Sequence, residues 1–128
     1  LFVKGKRYGR PLRDRMFTLG MSAFESLLLG ARMQEINAQP TMFHRSFYLS
    51  WRGAPYDSLL DLFVYVGAIR SGYKVKRFPV FFDRRTAGDG ENDRLIQKLR
   101  TSKRMITYSF KLRRQINTEP NSNRKPTR

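Results

Sequence analysis

The stretch Ser58–Phe82, "SLLDLFVYVGAIRSGYKVKRFPVFF", decides how this chain is read. Ser58 to Ser71 is almost wholly apolar, with Asp61 and Arg70 its only charged residues. A run of that length predicts a strongly buried helix, and Gly72 supplies its stop. Lys74–Phe82 then reads as a strand, alternating at Val75 and Arg77 and wholly apolar at Val80–Phe82. Pro79 places that strand at an edge or a bulge, because proline has no N–H for a ladder. A buried helix feeding a strand puts the chain in the α/β class. The strand then empties into Asp83, Arg84 and Arg85 and a loop containing Gly88 and Gly90.

Upstream, Leu1–Val3 reads as the end of a strand and Lys4–Arg10 as a basic loop. Pro11 suits the first turn of a helix. Leu12, Met16, Phe17, Met21, Phe24, Leu27, Leu28 and Ala31 recur at helical spacing over a broad face. That helix is expected to end between Gly30 and Gln34. Pro40 biases Gln39 toward extended backbone, so a short extended piece follows, then one or two helical turns over Ser46–Trp51. Downstream of the Arg84–Asn92 loop a long helix is expected over Asp93–Ile116. Leu95, Ile96, Leu99, Ile106 and Phe110 share an arc of about 100°, and Met105, Tyr108 and Leu112 form a second apolar stripe. Arg100, Arg104 and Lys111 lie beside the first arc. One stripe can pack on the domain while the other meets lipid headgroups; a surface helix with a solvated basic side is the alternative. The organisation expected is 1–92 as one α/β unit, 93–116 as an amphipathic helix and 117–128 as a disordered polar tail.

Over 128 residues, 26 Lys and Arg against 10 Asp and Glu give a net charge of +16. Such an excess calls for an anionic partner: nucleic acid, an acidic membrane surface or a phosphorylated ligand. The lack of cysteine excludes a disulfide framework and a Cys-ligated zinc site, and a single histidine excludes a His-rich metal site. No stretch reaches the roughly 18–20 apolar residues of a membrane-spanning helix. The chain begins without Met and as if inside a strand, so it is expected to be a fragment with further sequence upstream.

Two basic groups are candidate anion sites. Arg84 and Arg85, ahead of Gly88, can form a mobile clamp, since guanidinium stays charged and binds phosphate bidentately; a solvated turn is the alternative. Lys4, Lys6, Arg7, Arg10, Arg13 and Arg15 gather around a helix start, where cations oppose the macrodipole, and a bound anion would offset that. Asp61 is either a general base with a burial-raised pKa or the acid of a Ser58-x-x-Asp61 capping box. His44 reads as structural, and Trp51 and Tyr56 either line a ligand surface or cover the core.

"VKGKRYGRPLRDRMF" (Val3–Phe17), "EINAQPTMFHRSF" (Glu35–Phe47), the Ser58–Phe82 stretch and "RRTAGDGEN" (Arg84–Asn92) occur in this order. Together they resemble the C-terminal half of a family 2 glycosyltransferase, in the branch of dolichyl- and polyprenyl-phosphate sugar synthases. The resemblance implies the C-terminal part of a GT-A nucleotide-sugar fold, with an incomplete sheet, packed helices and a long basic amphipathic C-terminal helix. It implies transfer of a hexose from a nucleotide sugar to a lipid phosphate by a protein held peripherally at the cytoplasmic face of a membrane. By the same resemblance Arg7 with Arg13 or Arg15 would hold the acceptor phosphate. Arg84, Arg85 and Gly88 would belong to a mobile loop, and Asp61 falls where the family carries an acid. Mg2+ or Mn2+ is implied for the complete enzyme, held by an Asp-x-Asp motif upstream of Leu1, with no metal ligand in this stretch. Where the family continues with Ser two residues after the loop glycine, this chain has Gly90. The rival reading is a basic nucleic-acid-binding module without catalysis.

Overall fold

A central strand, β1 (Phe2–Tyr8), organises the molecule. The computed structural model describes residues 1–81 and 91–118, with backbone alone for 91–94. On one side β1 pairs antiparallel with β2 (Thr41–Phe43), and on the other it pairs parallel with β3 (Val75–Phe81), giving the order β2-β1-β3. Among the described residues four helices surround the sheet: α1 (Leu12–Leu29), the short α2 (Arg45–Leu49), α3 (Leu60–Arg70) and α4 (Glu91–Thr118). The result is a mixed α/β structure with a small mixed sheet and packed helices.

Register explains the core. Phe2 lies level with Phe43 and Val75, and Lys4 with Thr41 and Arg77, so these side chains share one face. Phe2 stacks on Phe43 at 6.1 Å and on Tyr65 of α3 at 5.9 Å, and Phe47 of α2 meets Phe2 edge-on. Trp51 closes the cluster against Phe43, Phe47 and Phe63. Leu62, Val64, Val66 and Ala68 bury α3 nearly all round, as its composition predicts. Gly72, at φ +77, turns the chain from α3 into β3.

Several expectations change. The basic run expected to be a loop is strand as far as Tyr8, because β3 pairs with every residue from Phe2 to Tyr8 and pairing overrides local composition. Gly5 inside that strand has a reason to be glycine: a Cβ there would sit 2.3 Å from the Gln39 carbonyl oxygen. α1 ends as expected, with Gly30 in the left-handed region, but only part of its apolar face packs, at Met21 and Leu28, with Ala31 buried just beyond the helix. Leu12, Met16, Phe17, Phe24 and Leu27 are exposed, Leu27 at 86%, while Ser22, Glu25 and Leu29 are buried. β3 is an edge strand among the described residues, as Pro79 predicts, but it is not buried at its end: Phe78 is 52% and Phe81 81% exposed. Residues 117 and 118, expected in a disordered tail, continue α4. Phe82, the Arg84, Arg85 and Gly88 loop, and the tail from 119 lie outside the described residues.

α4 settles which of its stripes packs. Met105 and Leu112 are buried in the core and Tyr108 and Ile116 pack against it. Leu95, Ile96, Leu99 and Phe110 remain exposed. Lys98 pairs with Asp14, and Ser109 lies beside Glu25 eleven residues further along each helix, so α1 and α4 run in the same direction.

Candidate functional site

The C-terminal end of β1, the turn after it, α1 and α4 enclose a cleft of about 330 Å3. Arg7, Arg10 and Lys98 line it together with Phe17, Met21, Ile36 and Met105. Three cations therefore face one space that also has an apolar wall. β1 brings Arg7 there, the turn ahead of Pro11 brings Arg10, and the packing of α4 against α1 brings Lys98.

Each cation is held differently. Arg7 Nε donates to Glu35 Oε2 at 2.6 Å, and Lys98 pairs with Asp14 in the first turn of α1. Arg10 donates one hydrogen bond, to Thr18 Oγ1 at 3.0 Å, and forms no ion pair among the described residues. Burial, then repulsion from Arg7, lowers its pKa from the usual guanidinium range, with Glu35 and Asp14 opposing. Glu35 itself sits at φ +51, a left-handed conformation that costs a side-chain-bearing residue about 1 kcal/mol. Strained backbone here delivers a carboxylate to the rim of a cationic cleft.

Of the residues expected to hold an acceptor phosphate, Arg7 lines this cleft, while Arg13 and Arg15 are exposed on α1 and do not. Two residues apart on a helix, they point about 160° away from one another, and no single ligand of phosphate size meets both. Arg10 was legible only as one member of a basic run. Lys98 had no local signal among the many bases of α4, and Glu35 none at all. Their roles come from folding.

Asp61 lies away from the cleft, in the first turn of α3. Its carboxylate accepts from Gln39 Nε2 at 2.9 and 3.0 Å and stands 3.6 Å from Lys4 Nζ. The capping box is not formed: Leu59 occupies the cap position with no side-chain bond, and Asp57 Oδ1 accepts from the Leu59 N–H instead. Lys4 is fully buried, with Thr41 Oγ1 at 3.1 Å and the Tyr65 ring beneath its ammonium. Burial lowers the Lys4 pKa, Asp61 opposes this, and Arg77 and Arg7 add to the lowering. Arg77 continues the network to the Tyr65 hydroxyl and the Gln34 carbonyl. His44 caps α2, its Nδ1 accepting from the Ser46 N–H, which is the structural role expected. Trp51 belongs to the core, and Tyr56 is exposed.

A divalent cation does not fit these residues. Among the described residues no group of three or more His, Cys, Asp or Glu could hold one, and Asp14, Glu35, Asp57 and Asp61 each face a lysine or arginine. No described helix is long and apolar enough to cross a membrane. No protein-family model, no curated protein and no solved structure matches this chain.

Proposed function

We propose that this chain is the acceptor side of a lipid-linked hexosyltransferase of the family 2 type, with the cleft between α1 and α4 receiving a polyprenyl phosphate. The observation that carries this reading is the meeting of Arg7, Arg10 and Lys98 over an apolar wall. A lipid monophosphate has the matching anatomy, an anionic head on an apolar chain. Cations at hydrogen-bonding range neutralise the head, and the apolar wall receives the first carbons behind it. The exposed stripe of α4, flanked by Arg100, Lys103, Arg104 and Lys111, suits an anionic bilayer surface, where each basic residue contributes about 1 kcal/mol.

In the complete enzyme, a GT-A sheet, the nucleotide-sugar site and the Asp-x-Asp motif for Mg2+ or Mn2+ would come from upstream sequence. An acceptor phosphate oxygen is already a nucleophile, so the chemistry does not need Asp61 as a base. Arg7 and its neighbours would hold that oxygen in line with the sugar carbon it attacks.

The test is sedimentation with phosphatidylcholine vesicles carrying either polyprenyl phosphate or polyprenol. The expected result is several-fold stronger binding to the phosphate, weakened by Arg7→Ala; equal binding to both lipids overturns the proposal. Joined to a donor-binding half carrying an Asp-x-Asp motif, the chain is expected to transfer hexose in a metal-dependent way, with Arg7→Ala lowering the rate.

A nucleic-acid module is the second reading, and one observation favours it. Part of the sheet face opposite Tyr65 is exposed among the described residues, at Phe78, Met42 and Lys76. An exposed aromatic beside a basic residue, as Phe78 is beside Lys76 on this face, can stack a base of a single strand. A gel shift with single-stranded RNA at near-physiological salt, with a steep salt slope, would favour this reading over the first.

A further inference from the structure

We infer that the cleft between α1 and α4 is a phosphate-monoester site kept closed by the protein's own carboxylates, Glu35 on Arg7 and Asp14 on Lys98, with Arg10 as the cation that first meets the ligand. This rests on the acceptor-phosphate reading and adds to it the residues that bind and the contact that competes. Three observations carry it. Arg7 and Arg10, at the end of β1 and in the turn after it, and Lys98, far along the chain on α4, line one cavity of about 330 Å3. Arg10 is half-buried in that cavity and among the described residues makes one hydrogen bond, to Thr18, so that its other guanidinium donors are met by no described residue. Glu35 reaches Arg7 only from a left-handed backbone conformation that a carboxylate side chain does not otherwise favour.

A phosphate monoester carries more charge than either carboxylate and offers three acceptor oxygens. Entering the cleft, it would bond Arg10 first and then exchange with Glu35 at Arg7 and with Asp14 at Lys98. Each exchange replaces one charge-assisted pair with another, so the number of ion pairs at Arg7 and Lys98 is conserved while the Glu35 turn is free to relax. The ligand would also bridge β1 and the turn before α1 to α4 through its own oxygens, in place of the Asp14–Lys98 pair. Occupancy thereby becomes linked to how firmly α4 is docked.

Isothermal titration of the chain with farnesyl monophosphate, inorganic phosphate and farnesol tests this. Farnesyl monophosphate is expected to bind tightest, inorganic phosphate more weakly and farnesol least. Arg10→Ala and Lys98→Ala are each expected to weaken farnesyl monophosphate about tenfold, the loss of one charge-assisted bond. Glu35→Gln, which removes the competing charge and keeps the shape, is expected to tighten it several-fold, and Glu35→Gly to do the same while relieving the backbone. Arg70→Ala, exposed at the end of α3, is the control and is expected to change nothing. Far-ultraviolet circular dichroism melts of each variant establish that it is folded. Weaker binding in Glu35→Gln would overturn the competition, since Glu35 would then be orienting Arg7 for the ligand. Binding that ignores Lys98 and Arg10 but is lost in Arg13→Ala or Arg15→Ala moves the site to the surface of α1, overturning this inference while the acceptor reading stands. Farnesyl monophosphate binding no better than farnesol overturns both.

Discussion

Lys4 is a full charge with no exposed surface, placed on the central strand because the alternation of β1 turns it toward Tyr65. Burying an ammonium is costly unless a counter-charge and hydrogen bonds accompany it. Asp61, Thr41 and the Tyr65 ring supply these. Asp61→Asn should therefore destabilise the fold by about 3 kcal/mol, read as a lowered urea midpoint at neutral pH. An unchanged midpoint would return Asp61 to the candidates for a chemical role. In the sequence Asp61 stood out as a lone acid in an apolar helix, so its importance was legible and its partner was not. The partner lies 57 positions upstream, on a strand whose basic composition suggested a loop.

Between α1 and α4 lies a second buried ionisable residue. Glu25 is 0% exposed and neither carboxylate oxygen has a hydrogen-bond partner among the described residues. Ser109, beside it, gives its hydroxyl proton to the Met105 carbonyl at 2.7 Å. Burial raises the Glu25 pKa above the usual carboxyl range. With the folded value above the unfolded one, its contribution to stability is complete below the unfolded pKa and is lost as pH rises through the folded one. Glu25→Gln is expected to flatten this dependence and to be more stable than the wild type at pH 8, measured by urea unfolding at pH 4 and pH 8. The two faces of α4 make a companion test. Leu112→Ala opens a core cavity and should cost about 2–5 kcal/mol, whereas Leu99→Ala, at 60% exposure, should leave stability within about 0.5 kcal/mol and weaken vesicle binding. Burial also marks the packed stripe chemically: Tyr108, shielded from water and then faced by Asp57, has its pKa pushed up to about 12.

At the scale of the molecule, ten acids serve twenty-six bases, and four described acids are committed to ion pairs within the chain. The surplus of positive charge is thus left on the surface and in the cleft, which is why an anionic partner suits every reading of this protein. Two apolar surfaces accompany the charge: the outward face of α1 and the exposed stripe of α4. Each follows a helical period, and each belongs to a helix whose other side is packed. An apolar face that the described residues leave uncovered marks a contact surface rather than an inefficient core.

Periodicity and punctuation alone determined the α/β class, the two long helices, the burial of α3, the edge position of β3 among the described residues and the glycine stops, because these depend on neighbours close in the chain. The two stripes of α4 were legible for the same reason. Which stripe packs, the partial packing of the apolar face of α1, the strand character of Lys4–Tyr8 and the gathering of Arg7, Arg10 and Lys98 were decided only by tertiary structure. Each depends on a partner dozens of residues away: β3 for the basic strand, and α4 against α1 for the cleft. Local sequence carries the propensity of a segment, but the burial and pairing that override it are set by what the fold places alongside.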